Sequence, residues 1–262
     1  MTADTLASAQ AVANEEMWSR AELVDEYAGR TLRAAEVVIL VRHREALSGR
    51  VLELGCGGGR LSGYLVDLAR DFHGIDISPR MVAHCEYAYP KGQFAIGDLR
   101  GLAGFPARSF EVIVAPFNVL DVLDDAERCS VLREVHRMLS ADGLLVMSSH
   151  NLFYAPRIPG PTRLRAAHPL RRLAELRAIP RRVRNRRRLL PLQRREAEYA
   201  ILNDDAHDFA TLHYYIGRDA EERQLAGCGF ELIECLDLEG HEVRRGEEAA
   251  ATPELHYVAR KQ

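Results

Sequence analysis

Lysine is almost absent: only Lys91 and Lys261 stand among 35 basic residues, so arginine carries nearly all the positive charge. A skew of that kind points to codon bias and takes weight from arguments built on guanidinium chemistry alone. Long apolar runs are missing too. The nearest candidate, Val37-Val38-Ile39-Leu40-Val41, is cut by Arg42, so no membrane-spanning helix is expected. Residues 1–15 contain acids and no basic leader region, which argues against a secretory signal. Five cysteines form no C-x-x-C pair, and their odd number speaks against a disulfide framework. These absences lead us to expect a cytoplasmic protein. At 262 residues with 47% hydrophobic content, the chain can bury a full α/β core as one domain.

What is present is concentrated in one decapeptide. Val51-Leu52-Glu53-Leu54-Gly55-Cys56-Gly57-Gly58-Gly59-Arg60 is an apolar run ending in an acid and a glycine turn, and a helical pattern follows directly. Strand, glycine turn and helix start in that order make a cradle for a small molecule at the end of a parallel strand. Glycine accepts positive φ and lets a ligand approach the backbone. A dinucleotide fingerprint would need glycine where Arg60 stands, and a phosphate loop would need Lys-Ser/Thr, which is missing. Glu53 would repel a pyrophosphate and suits a cationic ligand.

Two further segments continue the pattern. Phe72-His73-Gly74-Ile75-Asp76-Ile77-Ser78-Pro79 is a strand ending in an acid with a helix start behind it, and Phe94-Ala95-Ile96-Gly97-Asp98-Leu99 is a strand ending in a third acid. With these residues the chain resembles the class I S-adenosylmethionine-dependent methyltransferases, in their small-molecule branch, over roughly residues 48–150 and 217–261. The resemblance implies S-adenosylmethionine as cofactor and S-adenosylhomocysteine as product. It implies Glu53, Gly55, Cys56 and Gly57 around the donor, Asp76 and Ile77 at the ribose, and Asp98 and Leu99 at the adenine, with Pro116 completing the cofactor contacts. The bland alternatives are a tight turn at the glycines, a helix cap at Asp76 and a turn residue at Asp98.

The fold class that follows is α/β, a Rossmann-like, seven-stranded, mostly parallel sheet with an antiparallel last strand, plus an Arg-rich lid insertion. Alternating patterns predict strands at 51–54, 72–76, 93–96, 110–115 and 143–149, with helices at 60–69, 79–86 and near 124–138. A helix at 219–226 and strands at 229–237 and 254–260 close the sheet. The domain boundaries expected are a helical leader or cap over 1–47, the core over 48–150 and 217–262, and an insertion over 151–216 that acts as substrate lid. Within the insertion we expect helices around 168–189 and a hairpin from 199–202 to 209–215.

Methyl transfer from a sulfonium is an in-line displacement, so the protein mainly aligns the acceptor and excludes water, with a base where the acceptor must lose a proton. His150, at a strand's C-terminal end, is the best single base; a packed structural histidine is the alternative. His207, His213 and Tyr215 are further catalytic candidates. Trp18, Tyr27, Phe117, Asn118, Asn151 and Tyr214 are candidates for substrate contact, with core packing the competing use of Trp18 and Tyr27. A metal on Asp204, Asp205, His207 and Asp208 is set aside, because short acidic clusters are usually turns. Ala115-Pro116-Phe117-Asn118 lacks the Asn/Asp-Pro-Pro-aromatic of base-methylating enzymes, so DNA is not expected as a partner.

Residues 157–195 carry fourteen arginines against one acid, Glu175, while the rest of the chain holds 21 basic and 37 acidic residues. One use of that segment is to grip a small anionic metabolite. Others are a surface for RNA, membrane or a partner on a non-catalytic protein of this fold, or an exposed helix that pairs with the acidic remainder of the chain or with a second subunit in a homodimer.

Overall fold

The computed structural model describes Asn14, residues 31–164 and residues 166–262. Trp18 and Tyr27 lie outside the described residues. The leader contributes α1 (Ala34–Arg42) and a single turn, α2 (Arg44–Leu47). The core then runs β1 (Arg50–Leu54), α3 (Ser62–Leu68), β2 (Asp71–Asp76), α4 (Pro79–Ala88), β3 (Gln93–Ile96), β4 (Phe110–Ala115), α5 (Asp125–Met138) and β5 (Leu139–Asn151). The insertion holds α6 (Pro169–Leu189), the two-residue β6 (Arg194–Arg195) and a hairpin of β7 (Tyr199–Leu202) and β8 (His213–Ile216). The chain returns through α7 (Arg218–Gly227), β9 (Phe230–Leu236) and β10 (Glu254–Lys261).

The core strands lie in the order β3-β2-β1-β4-β5-β10-β9, with β10 antiparallel between β5 and β9. This is the Rossmann-like arrangement expected from the sequence, and β1, β2, β3, β4 and β5 are mutually parallel. Helices cover both faces, so the central strands read as continuous apolar runs. Val51, Leu52 and Leu54 of β1 are all buried. One face packs Leu52, Leu54, Ile113 and Tyr257 with α5, and the other packs Val51, Val112 and Val258 with α1 and α3. Glu53 is the polar exception among the buried positions of β1.

Local chemistry sets the element starts. Asp124 and Glu127 form a reciprocal capping box that opens α5, each side chain bonding the other's backbone N–H at 2.9 and 3.2 Å. Pro79 sits in the first turn of α4, where its missing N–H costs nothing. β5 begins at Leu139 rather than at 143. The Asp142-Gly143 turn is absorbed as a bulge, with Asp142 at φ 59° and the register against β4 shifted.

The insertion is fused to the sheet. β4 stops pairing with β5 at Met147, and β8 takes the same edge of β5 beyond it, parallel, at His150↔Tyr215 and Asn151↔Ile216. β10 occupies the opposite edge up to His150. The hairpin therefore stands over the carboxyl end of β4, and the sheet grows to ten strands. The second hairpin strand is shorter than the sequence suggests. His207, Asp208 and Phe209 all adopt positive φ and cannot continue a ladder.

Candidate active site

One cavity of about 540 Å³ opens at the carboxyl ends of β1, β2, β4 and β5. Glu53, Asp76 and Asp98 all line it, as do Gly55, Cys56, Gly57, Ile77, Leu99 and Pro116. The parallel topology brings these residues together, since each ends or follows a neighbouring strand.

The glycine turn is shaped by close approach. A Cβ on Gly55, at φ +64°, would sit 2.3 Å from Val119 Cγ2. Gly57, at φ +53°, has no heavy atom within 4 Å of that position, so its Cα faces open cavity. The Gly57 N–H donates to Asp76 Oδ2 at 2.9 Å and the Ser78 N–H to Oδ1 at 2.8 Å. Asp76 is thereby locked against the turn, and burial raises its pKa although these two bonds oppose the shift. Glu53 Oε2 accepts from Ser62 Oγ at 2.6 Å. Full burial pushes its pKa up to about 8, a site where an arriving cation would restore the carboxylate.

Asp98 differs. Its carboxylate is held by the Arg100 guanidinium, with Nε at 3.0 Å from Oδ1 and Nη2 at 2.5 Å from Oδ2, and this pairing lowers its pKa. It is also more than a third exposed. Arg60, which rules out a dinucleotide turn, is clamped by Glu36 of α1 and lies over the Phe117 ring at 5.1 Å. Phe117 and Asn118 follow β4 with φ of 54° and 59°. Such left-handed, non-glycine pairs are costly and concentrate at functional sites.

At the other end of the cavity His150 meets the insertion. Its Nδ1–H donates to Asp121 Oδ2 at 2.7 Å, and its backbone N–H donates to the same oxygen at 2.7 Å. Asp121 is fully buried and receives Ser149 Oγ and Arg128 Nη1 on its other oxygen at 2.8 and 2.7 Å. Arg128, also fully buried, is fixed in turn by Glu221 and Gln224 of α7. This leaves Nε2 of His150 as the proton-accepting nitrogen, met at 3.3 Å by Asn118 Nδ2. Glu254 Oε2 accepts from the same Nδ2 at 3.1 Å, which fixes the amide's orientation and leaves Asn118 Oδ1 buried without a partner. Burial would lower the His150 pKa, but the hydrogen bond and charge of Asp121 outweigh it, helped by Asp204 and Glu254, and the net shift is upward.

A second imidazole–carboxylate pair faces the first. His213 Nδ1 and Tyr215 Oη donate to Asp204 Oδ2 at 2.8 and 2.7 Å. The His150 ring stacks on His213 and Tyr215 with centroids 5.1 and 4.8 Å apart. His150, His207, His213 and Tyr215 all line the cavity, together with Phe117 and Asn118. Asn151 and Tyr214 do not. Asn151 is fully buried with its amide on the carbonyls of Glu248, Ala249 and Thr252, because side chains alternate along β5. Tyr214 points to the other side of β8 for the same reason, bonding Asp125 and covering Arg128.

The arginine segment also departs from expectation. No described residue of α6 lines the cavity. Its C-terminal half instead braces the left-handed turn behind it: Arg181 and Arg182 pair with Asp208, Asn185 bonds the Asp208 carbonyl, and Arg186 lies over Phe209. Asp121, Arg128 and Glu254 escaped the sequence reading, which set Asp204 aside as part of a turn; so did Asn14, which ties the leader to Val122 and Leu212. Arg128 had a signal: it shares the apolar face of α5 with Val131, Leu132 and Val135, and a charge there demands buried partners.

Residues 51–143 match the family model described as a methyltransferase domain. That stretch is a methyltransferase domain like those of S-adenosylmethionine-dependent methyltransferases. Among curated proteins, the chain is 33% identical over 115 residues to a probable S-adenosylmethionine-dependent methyltransferase of Mycolicibacterium smegmatis, covering 44% of this chain and 43% of that protein. It is 28% identical over 110 residues to the putative methyltransferase YqeM of Bacillus subtilis, covering 40% and 44%. The matched stretches thus span less than half of those methyltransferases. Solved structures extend the likeness of fold over nearly the whole chain. The 1,6-didemethyltoxoflavin-N1-methyltransferase of Burkholderia thailandensis, solved with its substrate and S-adenosylhomocysteine, aligns with TM-score 0.61 at 14% identity over 97% of this chain and 89% of that one. A methyltransferase from Mesorhizobium loti aligns with TM-score 0.58 at 20% identity, over 86% and 98%. Among the described residues, no helix of this protein is long and apolar enough to cross a membrane.

Proposed function

We propose that this protein moves a methyl group from S-adenosylmethionine to a hydroxyl or amine of a small metabolite held between His150 and the 203–215 segment. The observation that carries the reading is convergence: the Glu53–Gly57–Asp76 cradle and the Asp121–His150 pair open into the same cavity. The cradle fits the cofactor. Gly57 leaves the space a Cβ would fill, Asp76 keeps lone pairs for hydroxyl donors, and Glu53 and the orphaned Asn118 Oδ1 answer a cationic, donor-rich group.

S-adenosylmethionine supplies an activated methyl on a good leaving group. The chain's own residues do the rest. Burial of the cavity floor excludes water, and Phe117 and Tyr215 offer flat apolar walls. Asp121 holds the His150 ring with Nε2 unprotonated, so that an acceptor hydroxyl or amine can take over the long contact from Asn118 Nδ2 and pass its proton there, and the Arg128 network keeps Asp121 in place. Among the described residues, the arginines on the cavity wall, Arg60 and Arg100, are each paired with a carboxylate, so the acceptor we propose need not be anionic. Calorimetric titration with S-adenosylhomocysteine tests the first half of the proposal; binding abolished in Asp76→Ala supports it, and no binding to the intact protein overturns it.

A further inference from the structure

The N-terminal half of α6 takes no part in the cavity or its bracing. From Pro169 to Pro180 the helix is exposed on most of its circumference, with Glu175, Ala178 and Ile179 the partly covered exceptions. Leu170, Leu173 and Leu176 stand 73%, 45% and 47% exposed. Their spacing of three puts them along one arc of roughly 120°. Arg177 falls between Leu170 and Leu173 on that arc, Arg172 borders it beyond Leu176, Arg171 lies roughly 100° to the other side of Leu170, and further exposed arginines follow at 181, 184 and 187.

An exposed leucine arc interleaved with and bordered by long guanidinium side chains, on a helix about 30 Å long, suits an anionic bilayer surface, where such side chains reach up from among apolar neighbours to the phosphates. Leucines enter the acyl boundary, while arginines reach lipid phosphates and lay their methylene stems on the apolar layer. The leucines offer RNA nothing, having neither stacking faces nor hydrogen-bonding groups. We infer that the first three turns of α6 dock this protein on membranes rich in anionic phospholipid. The docked half continues through Pro180 into the half that holds Asp208 and Phe209, so the membrane contact and the cavity's left-handed turn lie on one helix.

Co-sedimentation with unilamellar vesicles tests the inference, using phosphatidylcholine alone and phosphatidylcholine with roughly one-third phosphatidylglycerol. The expected result is binding to the anionic vesicles that falls steeply between roughly 0.1 and 0.5 M salt. Little binding is expected to the neutral ones. The triple variants L170S/L173S/L176S and R171Q/R172Q/R177Q each lose about tenfold in vesicle affinity or more. Both keep the parent melting temperature and S-adenosylhomocysteine affinity, because the altered side chains project away from the body. Absence of binding to anionic vesicles at low salt overturns the inference, as does full binding by the leucine variant. Light scattering that shows a dimer dissolved by the leucine variant, without vesicle binding, assigns the face to a second copy instead. A mobility shift with single-stranded RNA and none with vesicles assigns it to nucleic acid.

Discussion

The two ends of the cavity are built by different means. The cofactor end is made of strand termini and backbone: Glu53, Asp76 and the Gly55–Gly57 turn are fixed by the parallel ladder, and the longest of these hydrogen bonds in sequence, Gly57 to Asp76, spans 19 residues. The acceptor end is made of side chains that meet across the chain, such as Arg128 with Glu221, 93 residues apart, and Asn118 with Glu254, 136 apart. A scaffold made of backbone tolerates change around it, whereas a side-chain network fails as a unit. The two ends should therefore respond separately to mutation, one through affinity for the cofactor and the other through turnover.

The largest effect is expected where turnover depends on the network. His150→Ala and Asp121→Asn should each lower kcat by about 10²–10⁴-fold while leaving S-adenosylhomocysteine affinity unchanged. His150 must be neutral to accept a proton, so activity should fall as pH drops through its raised pKa, and Asp121→Asn should move that limb to lower pH. A pH–rate profile that ignores Asp121→Asn would break the comparison. Next comes Asp76→Ala, expected to weaken cofactor binding on the order of 100-fold through loss of charge-assisted hydrogen bonds. Its kcat at saturating cofactor should be nearly that of the parent.

Glu53 gives a smaller and more diagnostic effect. With its pKa near 8 the group is mostly protonated at pH 7, so binding of a cationic ligand should release about one proton. Titrations in buffers of different ionisation enthalpy read that release directly, and affinity should rise by up to tenfold from pH 7 to 8. The sign for folding is opposite. Because the folded pKa is raised, the ligand-free protein should lose stability as pH climbs from the ordinary carboxylate range to about 8, and Glu53→Gln should flatten that slope in thermal melts. Smallest is R181A/R182A, which releases Asp208 and should raise the acceptor KM several-fold with cofactor affinity intact.

The same division explains how much of the molecule could be read in advance. The core strands, the antiparallel last strand and the three cavity acids were legible because hydrophobic periodicity and strand-end acids are local signals that a parallel topology converts into proximity. Asp204 and Asp121 were opaque. Each becomes meaningful only beside a histidine from another element, and nothing in the local pattern around them differs from an ordinary turn. Asn151 and Tyr214 illustrate a subtler limit: they adjoin His150 and His213 in sequence, yet the two-residue strand period turns them to the opposite face. The arginines left alternatives open because charge density predicts an electrostatic role without saying whether the partner is a ligand or, as Arg182 finds in Asp208, the protein itself.

The junction at His150↔Tyr215 and Asn151↔Ile216 has one more consequence. The hairpin above the chamber is no hinged flap, because two rungs of amide pairing weld it to the central strand that also bears the base. Deuterium should enter the amides of 213–216 on the slow schedule of the core, while the partly exposed stretch 205–208, which lacks a ladder, exchanges earlier. Traffic in and out of the chamber, on the described part of the chain, then runs past that span and leaves the roof in place.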